Sequence, residues 1–186
     1  MDKDLNKFAL TNGIIIAVIT IALQLVTYYA APHLLGATWY GILITFISVV
    51  VYVIFSFDLR KKIGGFWSFK EALSGIFIMS FVANLSSSIF NFIFYRLIEP
   101  GAYDKVRGYV EDGMTATYEK MGITGDALDQ AIEASNETLK AQYMPTIGDF
   151  FKNLVIAILV GFVLSLIFAA IFKRNPPMFS NIDEEN

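Results

Sequence analysis

The chain has no cysteine and a single histidine, His33. Without cysteine there can be no disulfide, no thiolate metal site and no thiol nucleophile, and one histidine builds no imidazole cluster. Phosphate-binding glycine loops, HExxH and GxSxG are also missing. Ser86-Ser87-Ser88 has no histidine or lysine within the same apolar run to activate a hydroxyl. The acids Asp104, Glu111, Asp112, Glu119, Asp126, Asp129, Glu133 and Glu137 do not follow a calcium-loop pattern, and read as a solvated face. The formal net charge of −3 is small and unevenly placed, which excludes the basic surface a nucleic-acid partner needs. No enzyme, no metal and no cofactor is expected.

What the chain does have is apolar length. Of 186 residues, 55% are hydrophobic and 17% charged, too apolar for an ordinary soluble domain. The excess sits in four blocks, about 13–31, 38–57, 72–95 and 153–172. Each is close to or above the roughly 20 residues that cross a hydrocarbon core. The third is the plainest. Ser68-Phe69-Lys70-Glu71 predicts a capping box, in which Ser68 and Glu71 each satisfy the other's backbone N–H. From there to Arg96 runs a stretch of 24 uncharged residues. The expected fold is all-α: a four-helix transmembrane bundle in one domain over 1–175.

Residues 1–12 read as a short mixed-charge lead before an uncleaved first span, because its apolar run exceeds a signal core and Tyr29-Ala30-Ala31-Pro32 makes a poor cleavage site. Lys3, Lys7, Arg60, Lys61, Lys62, Lys70, Lys173 and Arg174 all fall on one side of four spans. By the positive-inside rule both termini are then cytoplasmic and residues 97–151 lie outside. Tyr28, Tyr29, Trp39 and Tyr40 mark the outer interface.

The outer link carries Tyr103, Val106, Val110, Met114, Thr117 and Met121 at helical spacing, then Leu128, Ile132, Ser135 and Leu139. A break at Gly122-Ile123-Thr124-Gly125, with Gly122 as C-cap and Thr124 as the next N-cap, predicts a helical hairpin over about 101–145. Glu99, before Pro100, reads as a solvated carboxylate beside Arg96, and His33 as an interfacial side chain without a role. Asn136-Glu137-Thr138 is a sequon that matters only in a eukaryotic secretory route. The residues 176–186 read as a disordered cytoplasmic tail.

Small and polar residues form a stripe on each span: Gly13, Ala17, Thr20, Gln24, Thr27 and Ala31; then Gly41, Thr45, Ser48, Tyr52 and Ser56; then Ser80, Asn84, Ser87 or Ser88, and Asn91; then Ala157, Gly161, Ser165 and Ala169. Lipid gives helices no hydrophobic reason to associate, so small residues for close approach and amides for interhelical bonds are the expected packing faces. Gln24, Asn84, Ser88 and Asn91 are the candidates for interhelical contacts or for lining a polar cavity. No Asp, Glu, Lys or Arg lies inside a predicted span, which argues against proton coupling.

Asn12-Gly13, Arg60-Lys61-Lys62 with Gly64-Gly65, Phe69-Lys70-Glu71-Ala72, Glu99-Pro100 and the closing Lys173-Arg174 together resemble a family of small bacterial membrane proteins. That family, common in the Bacteroidetes lineage, is grouped as a domain of unknown function. The resemblance implies a four-helix inner-membrane protein of a Gram-negative bacterium and carries over no functional residue. The expected role is a non-enzymatic accessory or scaffold, with lipid around it and residues 101–145 docking a membrane partner or a second copy. The alternative is a small transporter or channel for a neutral or weakly charged solute.

Overall fold

The structure is a computed structural model that describes residues 3–174; the tail expected to be disordered, 176–186, lies outside them. Six α-helices follow in order: α1 Lys3–Ala30, α2 Thr38–Lys62, α3 Phe69–Ile93, α4 Ala102–Lys120, α5 Asp126–Tyr143 and α6 Ile147–Phe172. A 3₁₀ turn at Pro32–Gly36 joins α1 to α2, and α3 runs on into a π-helical turn at Phe94–Ile98. By length and hydropathy α1, α2, α3 with its π turn, and α6 are each able to cross a membrane.

Local chemistry sets the helix ends. Ser68 caps α3 as expected: its Oγ accepts from Glu71 N at 3.3 Å while Glu71 Oε2 accepts from Ser68 N at 2.7 Å. The same device starts α6 six residues before the expected span. Thr146 Oγ1 accepts from Asp149 N at 3.1 Å, and Asp149 Oδ2 from Thr146 N at 3.0 Å. Gly122 closes α4 at φ 76°, with Gly122 N donating to Glu119 O and Ile123 N to Tyr118 O. Thr124 does not cap α5; Gly125, at φ 63°, takes that place with no side-chain bond. The mixed-charge lead is not a lead either, since α1 is helical from Lys3.

α3 is the centre of the bundle, packed against α1 on one side and α6 on the other. Both contacts depend on glycine. A Cβ at Gly13 of α1 would come within 2.7 Å of Met79 O and 2.8 Å of Val82 Cβ, and one at Gly161 of α6 within 2.9 Å of Ser80 Oγ. Ser165 and Ala169 continue that α6 face inward; Ala157, one turn before Gly161, is half-buried. The stripes of α1 and α6 are therefore packing faces for much of their length.

One end, here the basic end, is knit tightly. Trp67, 1% exposed, pairs its backbone with Arg174 in an antiparallel bridge (N···O 2.9 and 3.0 Å). Its indole donates to Phe172 O at 2.7 Å, and Arg60 Nη1 reaches the same carbonyl at 3.4 Å. Those donors satisfy a carbonyl that the last turn of α6 leaves open. Gly64 and Gly65, at φ 99° and 85°, make the left-handed turn that lets the link fold back. Asn12 is fully buried between α1 and α2, donating to Asp58 Oδ2 at 2.9 Å, while Lys62 Nζ lies 2.7 Å from that same oxygen. Both described chain ends thus lie at the same end of the bundle.

At the opposite, hairpin end, Tyr28, Phe94, Tyr95, Ala102, Val106, Leu139 and Tyr143 form a second buried cluster. α4 lies across the 3₁₀ turn with no room to spare: a Cβ at Gly36 would collide with Tyr109 O, and one at Gly113 with Gly36 O. α4 and α5 pair through Glu111, which accepts from Arg107 Nε at 2.7 Å and from Asn136 Nδ2 at 2.6 Å. Asn136 is therefore half-buried and engaged.

Candidate functional site

α2 is the exception to this packing. It is pinned at both ends and stands off in the middle. At the basic end Phe57 meets Phe172 edge-on with centroids 4.9 Å apart; at the hairpin end the Tyr40 and Thr27 hydroxyls bond. Between them Gly41 has open space where a Cβ would go, and Thr45 and Ser48 are exposed. The α2 stripe, expected as a packing face, has open space at Gly41 and borders cavities at Thr45 and Ser48.

What it faces is a crevice of three adjoining cavities. The first, of about 220 Å³ near the hairpin end, is lined by Thr20, Gln24, Thr27, Tyr40, Ser48 and Tyr95. The second, about 230 Å³, touches Thr20, Ser48, Tyr52, Asn84 and Ser87. The third, about 250 Å³, lies between α2, α3 and α6 at Ser48, Tyr52, Ser80, Asn84, Gly161 and Ser165. Ser48 borders all three, Thr20 joins the first two, and Tyr52 and Asn84 join the last two. Among the described residues no acidic or basic side chain lines any of them.

The four candidate polar residues are not brought into one place. Gln24 borders the first cavity and donates to Tyr95 OH at 2.8 Å. Asn84 sits at the centre of the crevice, its Nδ2 donating to Ser80 O at 2.9 Å and to Ser80 Oγ at 3.3 Å. Among the described residues nothing donates to its carbonyl oxygen, which leaves that acceptor for a guest. Ser88 and Asn91, one and two turns further along the same face of α3, line a separate cavity of about 120 Å³ with Gln142 and Asn153. There Asn91 Oδ1 is buried without a partner. An interhelical bond in a bilayer contributes about 0.6 kcal/mol on average, so Gln24–Tyr95 alone cannot hold α1 to α3. The close approach at Gly13 does more to hold those helices together.

Sequence reasoning missed the partners supplied by tyrosine. Tyr28 and Tyr40 read as interfacial aromatics and Tyr95 has no expected role, yet all three wall the crevice. Only the i,i+3 and i,i+4 placement of Thr45, Ser48 and Tyr52 pointed that way. Glu99 is not a carboxylate paired with Arg96 either. It accepts from Tyr29 OH at 2.7 Å and Tyr28 OH at 3.2 Å, while Arg96 Nη1 donates to Pro145 O at 3.2 Å. The π turn explains the difference, because it rotates Glu99 out of the α-helical register that would stack it on Arg96. Lys105 then sits 4.1 Å above the Tyr28 ring and covers this corner. Tyr143, in the same cluster, has its hydroxyl pushed up to about 12 by burial, so it stays a neutral donor.

His33 lies exposed on the 3₁₀ turn. Among the described residues no group of three or more His, Asp or Glu side chains is placed to hold a metal ion. The geometry offers hydroxyls, amide groups and apolar walls, which can bind and orient an uncharged molecule. A family model described as protein of unknown function (DUF4199) matches residues 8–174. No curated protein and no solved structure matches the chain.

Proposed function

The chain belongs to the DUF4199 family, proteins of unknown function, and we propose from its crevice that it is a non-enzymatic membrane protein that binds a small uncharged molecule inside its helix bundle. The observation that carries this reading is the run of cavities joined at Ser48, polar on several walls and free of charge. A charged guest would have to enter without a counter-ion, which costs several kcal/mol in hydrocarbon. A neutral one meets the hydroxyls of Ser48, Tyr52 and Ser80 and the Asn84 amide, which are partly engaged with backbone carbonyls and with one another and keep acceptor positions to offer. The crevice stops on the packed layer of Leu59, Ile76, Met79 and Ala169 at the basic end, all at most 1% exposed. That favours a pocket, the binding step of a carrier, over an open channel.

The gathering of Lys7, Arg60, Lys61, Lys62, Lys70, Lys173 and Arg174 toward one end supports cytoplasmic termini, with residues 97–151 on the periplasmic side of a bacterial inner membrane. The scaffold reading has less support. Met114 is half-buried and Leu128 buried, so most of the apolar face of α4 and α5 is spent on the protein itself; exposed Met121 and the acid-rich faces are what remains as a docking surface for a partner or second copy.

The test is extraction. Protein purified in gentle detergent should release a defined uncharged molecule into organic solvent, detected by mass spectrometry, and Ser48→Phe, which fills the junction of the cavities, should release none. Identical extracts from both proteins would remove the proposal.

A further inference from the structure

We infer that the guest is an uncharged lipid with a hydroxyl or carbonyl head, and that it enters sideways from the bilayer between α2 and α6; this rests on the cavity reading above. Among the described residues the ring and hydrogen-bond contacts between α2 and α6 are confined to the basic end, at Phe57, Arg60 and Phe172. Above them the two helices stand as opposite walls of the third cavity. The rims of those walls are apolar and outward-looking: Val49 is 46% exposed and Val160 52%. The back wall is polar and belongs to α3, where Ser80 is buried and the Asn84 carbonyl lacks a donor.

At the basic end the crevice stops on the layer around Leu59 and Met79. Toward the hairpin end the third cavity adjoins the first two, and the first is walled there by Tyr28, Tyr40, Tyr95 and Tyr143. Polarity therefore rises from the mouth toward α3. A water-soluble solute would meet the apolar rim first and would leave its own polar groups unpaired there. An amphiphile needs the observed order: its head reaches Ser80 and Asn84, and its chain stays between Val49, Val160 and Leu164, continuous with the acyl chains outside. The absence of charge in the lining selects a head such as that of a diacylglycerol over an anionic one.

The experiment uses the full chain in phosphatidylcholine vesicles with a diacylglycerol carrying a diazirine beside its glycerol and an alkyne on its tail. Phosphatidic acid with the same chains and tags is the charged control. After photolysis, peptide mapping should find diacylglycerol label at Ser48 and at Ser80–Asn84, about tenfold above the lipid-facing Ile42 and Phe46. Phosphatidic acid should label these positions alike. Val160→Trp, which plugs the mouth from an exposed position, should lower the crevice label about tenfold while its thermal melt stays that of the parent. Uniform diacylglycerol label, crevice label from phosphatidic acid as strong as from diacylglycerol, or no effect of Val160→Trp would overturn sideways entry of a neutral lipid. If label is uniform while the extract of the parent, but not of Ser48→Phe, still holds a water-soluble neutral molecule, the cavity reading survives and the lipid inference falls.

Discussion

α3 and α2 are both apolar helices of 25 residues with a stripe of small and polar side chains, yet they do opposite things with it. α3 is met on both flanks by glycines, Gly13 and Gly161, so close that neither could carry a methyl group without displacing a neighbour. α2 presents Gly41, Thr45 and Ser48 to space. A small residue in a membrane helix permits close approach; it does not compel it. Whether the stripe becomes a seam or the wall of a cavity depends on where the helix is held. α2 is held at its ends, by Asn12–Asp58–Lys62 and Phe57–Phe172 at one and by Tyr40–Thr27 at the other.

The comparison breaks if matched substitutions in the two helices' glycine contacts behave alike. Gly13→Leu should destabilise the protein by about 3 kcal/mol, because Met79 O is backbone and cannot step aside. Gly41→Leu, in open space, should change stability by no more than about 0.5 kcal/mol. Denaturation in detergent measures both; equal losses would mean that α2 is packed after all. Next in size, Gly36→Ala should cost about 2 kcal/mol by pushing α4 off the 3₁₀ turn. Hydrogen exchange should then rise in α4 and leave the α1–α3 contact protected, which separates the hairpin end from the bundle.

The smallest effect concerns acid. Arg107 and Asn136 hold the Glu111 carboxyl below its ordinary value. The α4–α5 link it makes is therefore fully present above the unfolded carboxylate pKa and fades as pH falls through the lowered folded one. Protection of the amides near Asn136, relative to their intrinsic exchange rate at each pH, should be flat from neutral pH down to the ordinary glutamate range and fall below it. Glu111→Gln should abolish that dependence.

Much of the fold was legible because its causes are local. The capping box at Ser68, the break at Gly122 and the four apolar runs are short-range statements, and the helices follow them. Thr146-Ile147-Gly148-Asp149 carried the same kind of signal for α6, hidden because hydropathy alone placed the span's start at Asn153. The division of labour between stripes was not legible. Gly13, Gly41 and Gly161 look equivalent in a helical projection, and only the positions of neighbouring helices distinguish a clash from empty space. The same holds for Glu99, whose partners Tyr28 and Tyr29 come from a helix about 70 residues away.

The central claim is that the middle of α2 has one face on a polar crevice and the other on lipid. A nitroxide scan of positions 42–52, in the reconstituted chain with its native lack of cysteine, tests it directly. Local polarity, read from the nitroxide hyperfine splitting, should peak at 45, 48 and 52, out of phase with oxygen accessibility peaking at 42, 46 and 50. A uniformly apolar splitting with high oxygen accessibility at every position would overturn it.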